Sequence, residues 1–266
     1  MTAVTLSFDS NSGPHSVVLL LDRSSNRQRI MLAALEAGRL HEPEVSRFLA
    51  SVLQPGDTVV DVGAHVGYYS LLAGRVVGPT GRVFAFEPEP SNYRRLRDHL
   101  VQNGLGEVQS FNVALGSAPG DERFRFESDE DGDHTIRDFA RHRRFGRTGE
   151  ADRRPPVEMV VLDHVLAGLP SGRGPRLIRI AAGGMEYEIL KGALRTILGH
   201  GVPFIICEVK RPALEQMGAS ERQLRQFMRL IGYQVSLLKP DATGLQPLAD
   251  DEFCNSDSAF TVVFHL

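Results

Sequence analysis

Apolar residues recur along this chain in two alternating rhythms. Short, largely β-branched runs at Thr58–Val62, Arg82–Phe86, Val108–Leu115, Arg176–Ala181 and Pro203–Val209 have the length and composition of strands buried on both faces. Between and beyond them, apolar positions repeat every three to four residues at Val66–Val77, Pro90–Asn103, Met185–Leu198 and Glu221–Ile231, the spacing of helices with one buried face. Pro90–Asn103 is predicted to bury Tyr93, Leu96, Leu100 and Val101 and to stop at Gly104. A helix over Glu42–Leu53 leads in, with Pro43 in its first turn and Val45, Phe48, Leu49 and Val52 facing inward. Val157–Leu162 reads as a further strand, followed by a short helix capped by Asp163, and Ser220 caps the helix after Glu221. Tyr233–Leu238 and Ala259–Phe264 close the chain as an antiparallel pair. Alternation of this kind with short connections predicts an α/β fold, a doubly wound seven-stranded Rossmann-like sheet.

Two stretches fall outside the alternation. Residues 1–39 read as an extension: a hairpin of Val4–Phe8 and Ser16–Leu21 turning at Asn11–Pro14, then a helix over Arg29–Ala37, serving as a cap over the site or as packing. Within the main domain, 40–266, the segment 128–156 begins acidic, turns strongly basic and has few apolar residues, so it is an insertion. It reads as a solvated loop or as a lid whose arginines meet an anionic acceptor. Glu122–Phe126, just before it, alternates like a half-exposed strand.

The candidate chemistry sits in residues 56–90. Thr58–Val62 ends in Asp61, Gly63 and Gly67 follow, and Arg82–Phe86 ends in Glu87. In an open parallel sheet, ligands bind beyond the carboxyl ends of the strands. Glycines in the first turn admit a ligand to the backbone, and the next helix offers free N–H groups. An acid at the second strand tip suits the two hydroxyls of a ribose. The spacing is not the G-x-G-x-x-G of a dinucleotide site, and Asp61 would repel a pyrophosphate while suiting an ammonium. Together these features point to S-adenosyl-L-methionine (SAM), whose tail is an amino acid, and away from a nicotinamide oxidoreductase.

Composition narrows the classes. A net charge of −3 gives no basic field for nucleic acid. No apolar run reaches membrane-spanning length, and the two cysteines form neither a disulfide framework nor a metal spacing. Asp129, Asp131 and Asp133 resemble a calcium loop, but Gly132 is out of register, so no metal is expected. The opening residues lack a signal-peptide pattern, so the expected location is cytoplasmic. Only Lys191, Lys210 and Lys239 among 30 basic residues are lysine, so single arginines carry little functional weight.

The blocks VVDVGAHVGYYSLLA, GRVFAFEPEPSNYRRLRDHLVQNGL, FNVALG, LIRIAAGGMEYEILKGA and IICEV, in that order, resemble the FkbM family of SAM-dependent methyltransferases. The resemblance implies that Asp61, Gly63, Gly67 and Tyr68 surround the methionine tail, with His65 at a position where the family commonly has asparagine. It implies that Glu87 and Pro88 lie at the ribose, that Asn112 to Leu115, with Asn112 and Ala114 foremost, pass the adenine, and that Ala181 borders the methyl. The implied reaction is O-methylation of a sugar or small secondary metabolite, with no nucleic acid or membrane partner and a homodimer left open.

One block departs from the family. Ile180–Glu186 reads IAAGGME where I-D-V-E-G-A-E is usual, so Ala181 replaces the acid expected beside the methyl. Glu208, at the next strand tip, ranks first as a replacement base, ahead of His134 and Glu186. The bland roles are an ion pair for Glu208, a solvated loop for His134 and a helix start for Glu186. The same departure raises two alternatives: an enzyme using SAM for another displacement, or a SAM-binding module without turnover.

Overall fold

The computed structural model describes residues 1–122, 157–170, 172–239, 244–249 and 259–266. The candidate base His134, the whole of the insertion 128–156 and all of the expected strand 122–126 after Glu122 lie outside the described residues.

The chain begins with strands β1 (Thr2–Ser10) and β2 (Gly13–Leu21), a hairpin in continuous register from Thr2↔Leu21 to Ser10↔Gly13. Helix α1 (Asn26–Glu36) follows, capped by Ser25, whose side chain accepts the Gln28 N–H. Then come α2 (Pro43–Val52), β3 (Thr58–Val62), α3 (Tyr68–Val77), β4 (Arg82–Phe86), α4 (Pro90–Asn103) and β5 (Val108–Phe111). All five residues of β3 are buried, as a strand covered on both faces requires. Helix α4 ends at Gly104, whose positive φ of 63° lets its N–H turn back to the Leu100 and Val101 carbonyls. Its inner face is set by Leu96 and Leu100, and Val101, expected inside, is 79% exposed because it lies one position further round the helix.

The expected third strand, 108–115, is two strands. After β5 the chain turns at Asn112, whose amide donates to the carbonyls of Glu87 (2.9 Å) and Pro88 (3.0 Å). Strand β6 (Ala114–Leu115) leaves the main sheet and, with β7 (Gly120–Glu122) and β8 (Val157–Val160), forms a three-stranded sheet of order β6-β8-β7.

Next are α5 (Leu162–Val165), β9 (Pro175–Ile180), α6 (Glu186–Gly192) and α7 (Leu194–His200). The single helix expected over 185–198 is therefore broken at Ala193. Asp163 does not cap its own helix. Its two carboxylate oxygens accept the N–H groups of Arg195 (2.9 Å) and Thr196 (2.7 Å), so it caps α7 from a neighbouring element. Asp163→Ala is expected to cost about 1 kcal/mol, a fall of about 2–4 °C in melting temperature read by thermal denaturation.

Strand β10 (Phe204–Val209), α8 (Arg211–Gln216), α9 (Glu221–Leu230), β11 (Gln234–Leu238), β12 (Leu245–Pro247) and β13 (Phe260–His265) complete the chain. Ser220 and Gln223 form a reciprocal capping box at the start of α9. The main sheet has the order β12-β11-β13-β10-β9-β3-β4-β5. The five strands from β10 to β5 are parallel, and β13 inserts antiparallel between β10 and β11. These include the seven strands of the expected Rossmann-like sheet, and the three-residue β12 adds an eighth at the edge.

The hairpin packs against the main domain. Leu6, Phe8, Val17, Leu19 and Leu21 share a buried cluster with α3 and α4 residues. Strand β2 is fastened by two α4 side chains: His99 Nε2 accepts the Leu20 N–H at 2.8 Å, and Asn103 bonds both the N–H and the carbonyl of Val18. The hairpin is thus on the α3–α4 face, while α1 carries Arg27 and Met31 toward the strand tips.

Candidate active site

The carboxyl ends of β3, β4, β9 and β10 converge on one hollow. Gly63 and His65 enter it from β3, Glu87 and Pro88 from β4, Ala181 from β9 and Glu208 from β10. Two backbones touch at its floor: Ala181 N–H bonds Val62 O at 2.9 Å, and a Cβ on Gly63 would sit 2.1 Å from Ala181 O. With φ of 76° as well, position 63 accepts only glycine without rearrangement.

Glu87 is 5% exposed. Its Oε2 accepts the His65 N–H at 2.7 Å and its Oε1 the Glu89 N–H at 2.9 Å. Burial raises its pKa to about 7, against the pull of those two N–H groups toward the ionised form. His65 has φ of 53°, the left-handed region in which Asn, Asp and His are the enriched non-glycine residues. This conformation explains how histidine serves where the family commonly has asparagine, and it turns the His65 N–H onto Glu87.

The remaining predicted cofactor residues divide. Pro88, Ala114 and Ala181 line the hollow. Asn112 does not, because its amide is spent on the Glu87–Pro88 carbonyls, and Val113, Ala114 and Leu115 form the apolar wall instead. Gly67, with φ of 97°, caps α3 where Leu96 of α4 presses against it. The Tyr68 hydroxyl accepts the His41 N–H and meets Ser46 Oγ, both at 3.1 Å. Asp61 is 1% exposed and is not among the residues lining this hollow: Oδ1 pairs with Arg179 Nη1 at 2.9 Å, and Oδ2 accepts the Ser70 hydroxyl at 2.7 Å. Its charge is used inside the protein, contrary to its expected place beside an ammonium.

Of the candidate bases, Glu208 lines the hollow, with Arg27 at 3.5 Å and Lys210 at 3.6 Å. Glu186 is fully buried and does not. Its Oε1 accepts the N–H groups of Ala182 and Gly184, both at 3.1 Å, and Oε2 has no hydrogen-bond partner. Burial raises its pKa to about 7. Glu186 therefore holds the turn that forms the floor.

Sequence reasoning missed Arg27, Lys210 and Asn92 at this hollow. The Asn92 amide is buried in the same hollow beside Glu87, whose ionised form it favours, and is a donor within reach of a ligand there. A nucleoside fits these residues: a strand-tip acid and a neighbouring amide donor for its hydroxyls, a glycine cradle, and an apolar wall for its base.

A second, smaller hollow opens beside Gly63 and His65 and is lined by Arg27, His41, Glu42, Tyr69 and Arg179. Glu42 Oε2 accepts the Tyr69 hydroxyl at 2.6 Å, and the Arg179 guanidinium lies 4.0 Å from the Tyr69 ring centre. Among the described residues, no group of three metal-ligating side chains occurs, and no helix is long and apolar enough to cross a membrane.

Comparison with known proteins places this geometry. The hexuronic acid methyltransferase AglP of Haloferax volcanii is 24% identical over 173 residues, 63% of this chain and 62% of that protein. A protein-L-isoaspartate O-methyltransferase of Aeropyrum pernix is 42% identical over 64 residues, 24% of this chain and 25% of that one. The chain thus spans less than two thirds of either relative. A crystal structure of the methyltransferase FkbM from Methylobacillus flagellatus overlays with a TM-score of 0.49 at 17% identity, covering 80% of this chain and 44% of that one. Residues 61–235, more than half of the chain, match the Methyltransferase FkbM domain. The chain belongs to the FkbM methyltransferase family.

Proposed function

We propose that this protein methylates a hydroxyl of a sugar or small natural product. The observation that carries the reading is the Glu87 carboxylate facing the Gly63 cradle in the hollow at the strand tips. Bound SAM supplies an electrophilic sulfonium methyl and leaves as S-adenosylhomocysteine. Glu87 and Asn92 hold the ribose hydroxyls, Val113 to Leu115 bed the adenine, and the 181–184 turn, tied down by Glu186, excludes water from below. Glu208 takes the proton of the acceptor hydroxyl. It stands in the same hollow as Ala181, where the family's usual acid is missing, and Arg27 and Lys210 hold it in place. A sugar acceptor is supported by the relative named as a hexuronic acid methyltransferase.

Ala181 favours a second reading, SAM binding without turnover. Calorimetry with S-adenosylhomocysteine, followed by mass analysis of a panel of hydroxylated acceptors including uronic acids, separates the two. A methylated product supports the first reading, and binding without product across the panel supports the second. With a turned-over acceptor in hand, Glu208→Gln is expected to lower kcat about 10²–10⁴-fold while leaving S-adenosylhomocysteine affinity within about twofold. An unchanged kcat would remove Glu208 from the mechanism.

A further inference from the structure

We infer that the second hollow is the subsite for the amino-acid head of the cofactor, with Glu42 receiving the ammonium and Arg27 the carboxylate. The inference rests on the cofactor reading above and replaces Asp61 with Glu42. Asp61 is the acid that the sequence points to, yet both of its oxygens are occupied by Arg179 and Ser70, and it lines neither hollow. The acid that does line a hollow beside Gly63 and His65 is Glu42, on the turn before α2.

Three features of Glu42 favour a ligand. Its φ is 43°, one of two positive values at non-glycine positions among the described residues, and the other is His65 beside it in the same hollow. Such backbone strain persists where the surroundings enforce it, and it concentrates at ligand clamps. Only one carboxylate oxygen is committed: Tyr69 donates to Oε2, whereas Oε1 faces His41 Nε2 at 3.7 Å, beyond hydrogen-bond distance. Burial holds the His41 imidazole toward its neutral form, and the Arg179 guanidinium that helps keep Glu42 ionised is itself hydrogen-bonded to Asp61.

The cationic side follows by the same accounting. Arg179 is committed to Asp61 and to the Tyr69 ring. Arg27 reaches both hollows, and its guanidinium stands 3.5 Å from Glu208, a loose ion pair. The hollow holds about 30 Å³, room for a compact polar group and too little for a sugar ring. An anion and a cation flanking so small a space match an α-amino-acid zwitterion.

The test is calorimetry on the full chain with S-adenosylhomocysteine and with 5′-methylthioadenosine, which keeps the adenosine and sulfur but lacks the amino-acid head. The unaltered protein is expected to bind S-adenosylhomocysteine at least about tenfold more tightly. Glu42→Gln is expected to weaken that binding roughly ten- to a hundredfold and to leave 5′-methylthioadenosine affinity unchanged, which also shows that the variant is folded. Equal affinity of the unaltered protein for both ligands, or unchanged S-adenosylhomocysteine affinity in Glu42→Gln, would overturn the subsite while leaving the nucleoside site standing. Failure of both ligands to bind would overturn the cofactor reading and the subsite with it.

Discussion

Replacing Arg179 by alanine is expected to destabilise the protein by about 3–5 kcal/mol, the usual result of removing one partner of a buried ion pair. Arg179 and Asp61 are 7% and 1% exposed, and their 2.9 Å contact lies under the strand tips. Asp61 cannot recover water when its partner goes, and Ser70 satisfies only one of its oxygens. Burial disfavours the charge of Arg179, but Asp61, with Tyr69 and Glu42 beyond it, outweighs burial and keeps the guanidinium protonated. The same truncation uncovers the Tyr69 face on which the guanidinium lies. The double variant Asp61→Asn/Arg179→Met is expected to regain most of the loss, because replacing a whole buried pair by neutral groups is commonly near neutral. Urea denaturation of Asp61→Asn, Arg179→Met and the double variant closes the cycle. A loss below about 1 kcal/mol in Arg179→Ala would mean that Asp61 is solvated, and would return Asp61 as the partner of the cofactor ammonium.

This pair shows where sequence reading ended. The β3–α3–β4 unit was legible because its signals are local: a buried β-branched run, glycines in the turn, an acid at the next tip. The doubly wound, seven-stranded sheet followed from the alternation of strands and helices with short connections. Asp61 was assigned a ligand because its partner is 118 residues away in the chain and leaves no trace in local pattern. Arg27 was passed over because arginine is the chain's ordinary cation, so its type carried no signal. Glu42 was read as the start of an amphipathic helix, and nothing in HEPE announces a left-handed residue before a proline. Ala181 was recognised as a departure from the family, and the structure shows its backbone carbonyl against Gly63, a contact that requires the glycine and is indifferent to the side chain at 181. Asp163 was given a local cap and Asn112 a place at the adenine, because their actual bonds run to elements brought near only by the fold.

Cofactor affinity is expected to rise with pH by roughly tenfold between pH 6 and pH 8 and to level off above that. The cause is Glu87, whose pKa burial raises to about 7. Each of its oxygens already accepts one backbone N–H, from His65 and from Glu89. Ionised, each oxygen keeps a further lone pair for a ribose hydroxyl, whereas protonation converts one of those acceptors into a donor. The ligand therefore selects the ionised form, and binding at pH 6 must first expel a proton. The sign is fixed by that linkage: affinity falls as pH drops through about 7, and binding releases protons there. Calorimetry with S-adenosylhomocysteine in buffers of different ionisation enthalpy reads both the affinity and the proton count. Glu186 also titrates near 7, but it touches only the Ala182 and Gly184 N–H groups under the floor. Glu87→Gln is thus expected to weaken binding and flatten the profile, while Glu186→Gln keeps the slope. A slope that survives in Glu87→Gln and disappears in Glu186→Gln would transfer the pH dependence to the floor of the site and remove Glu87 from the ribose.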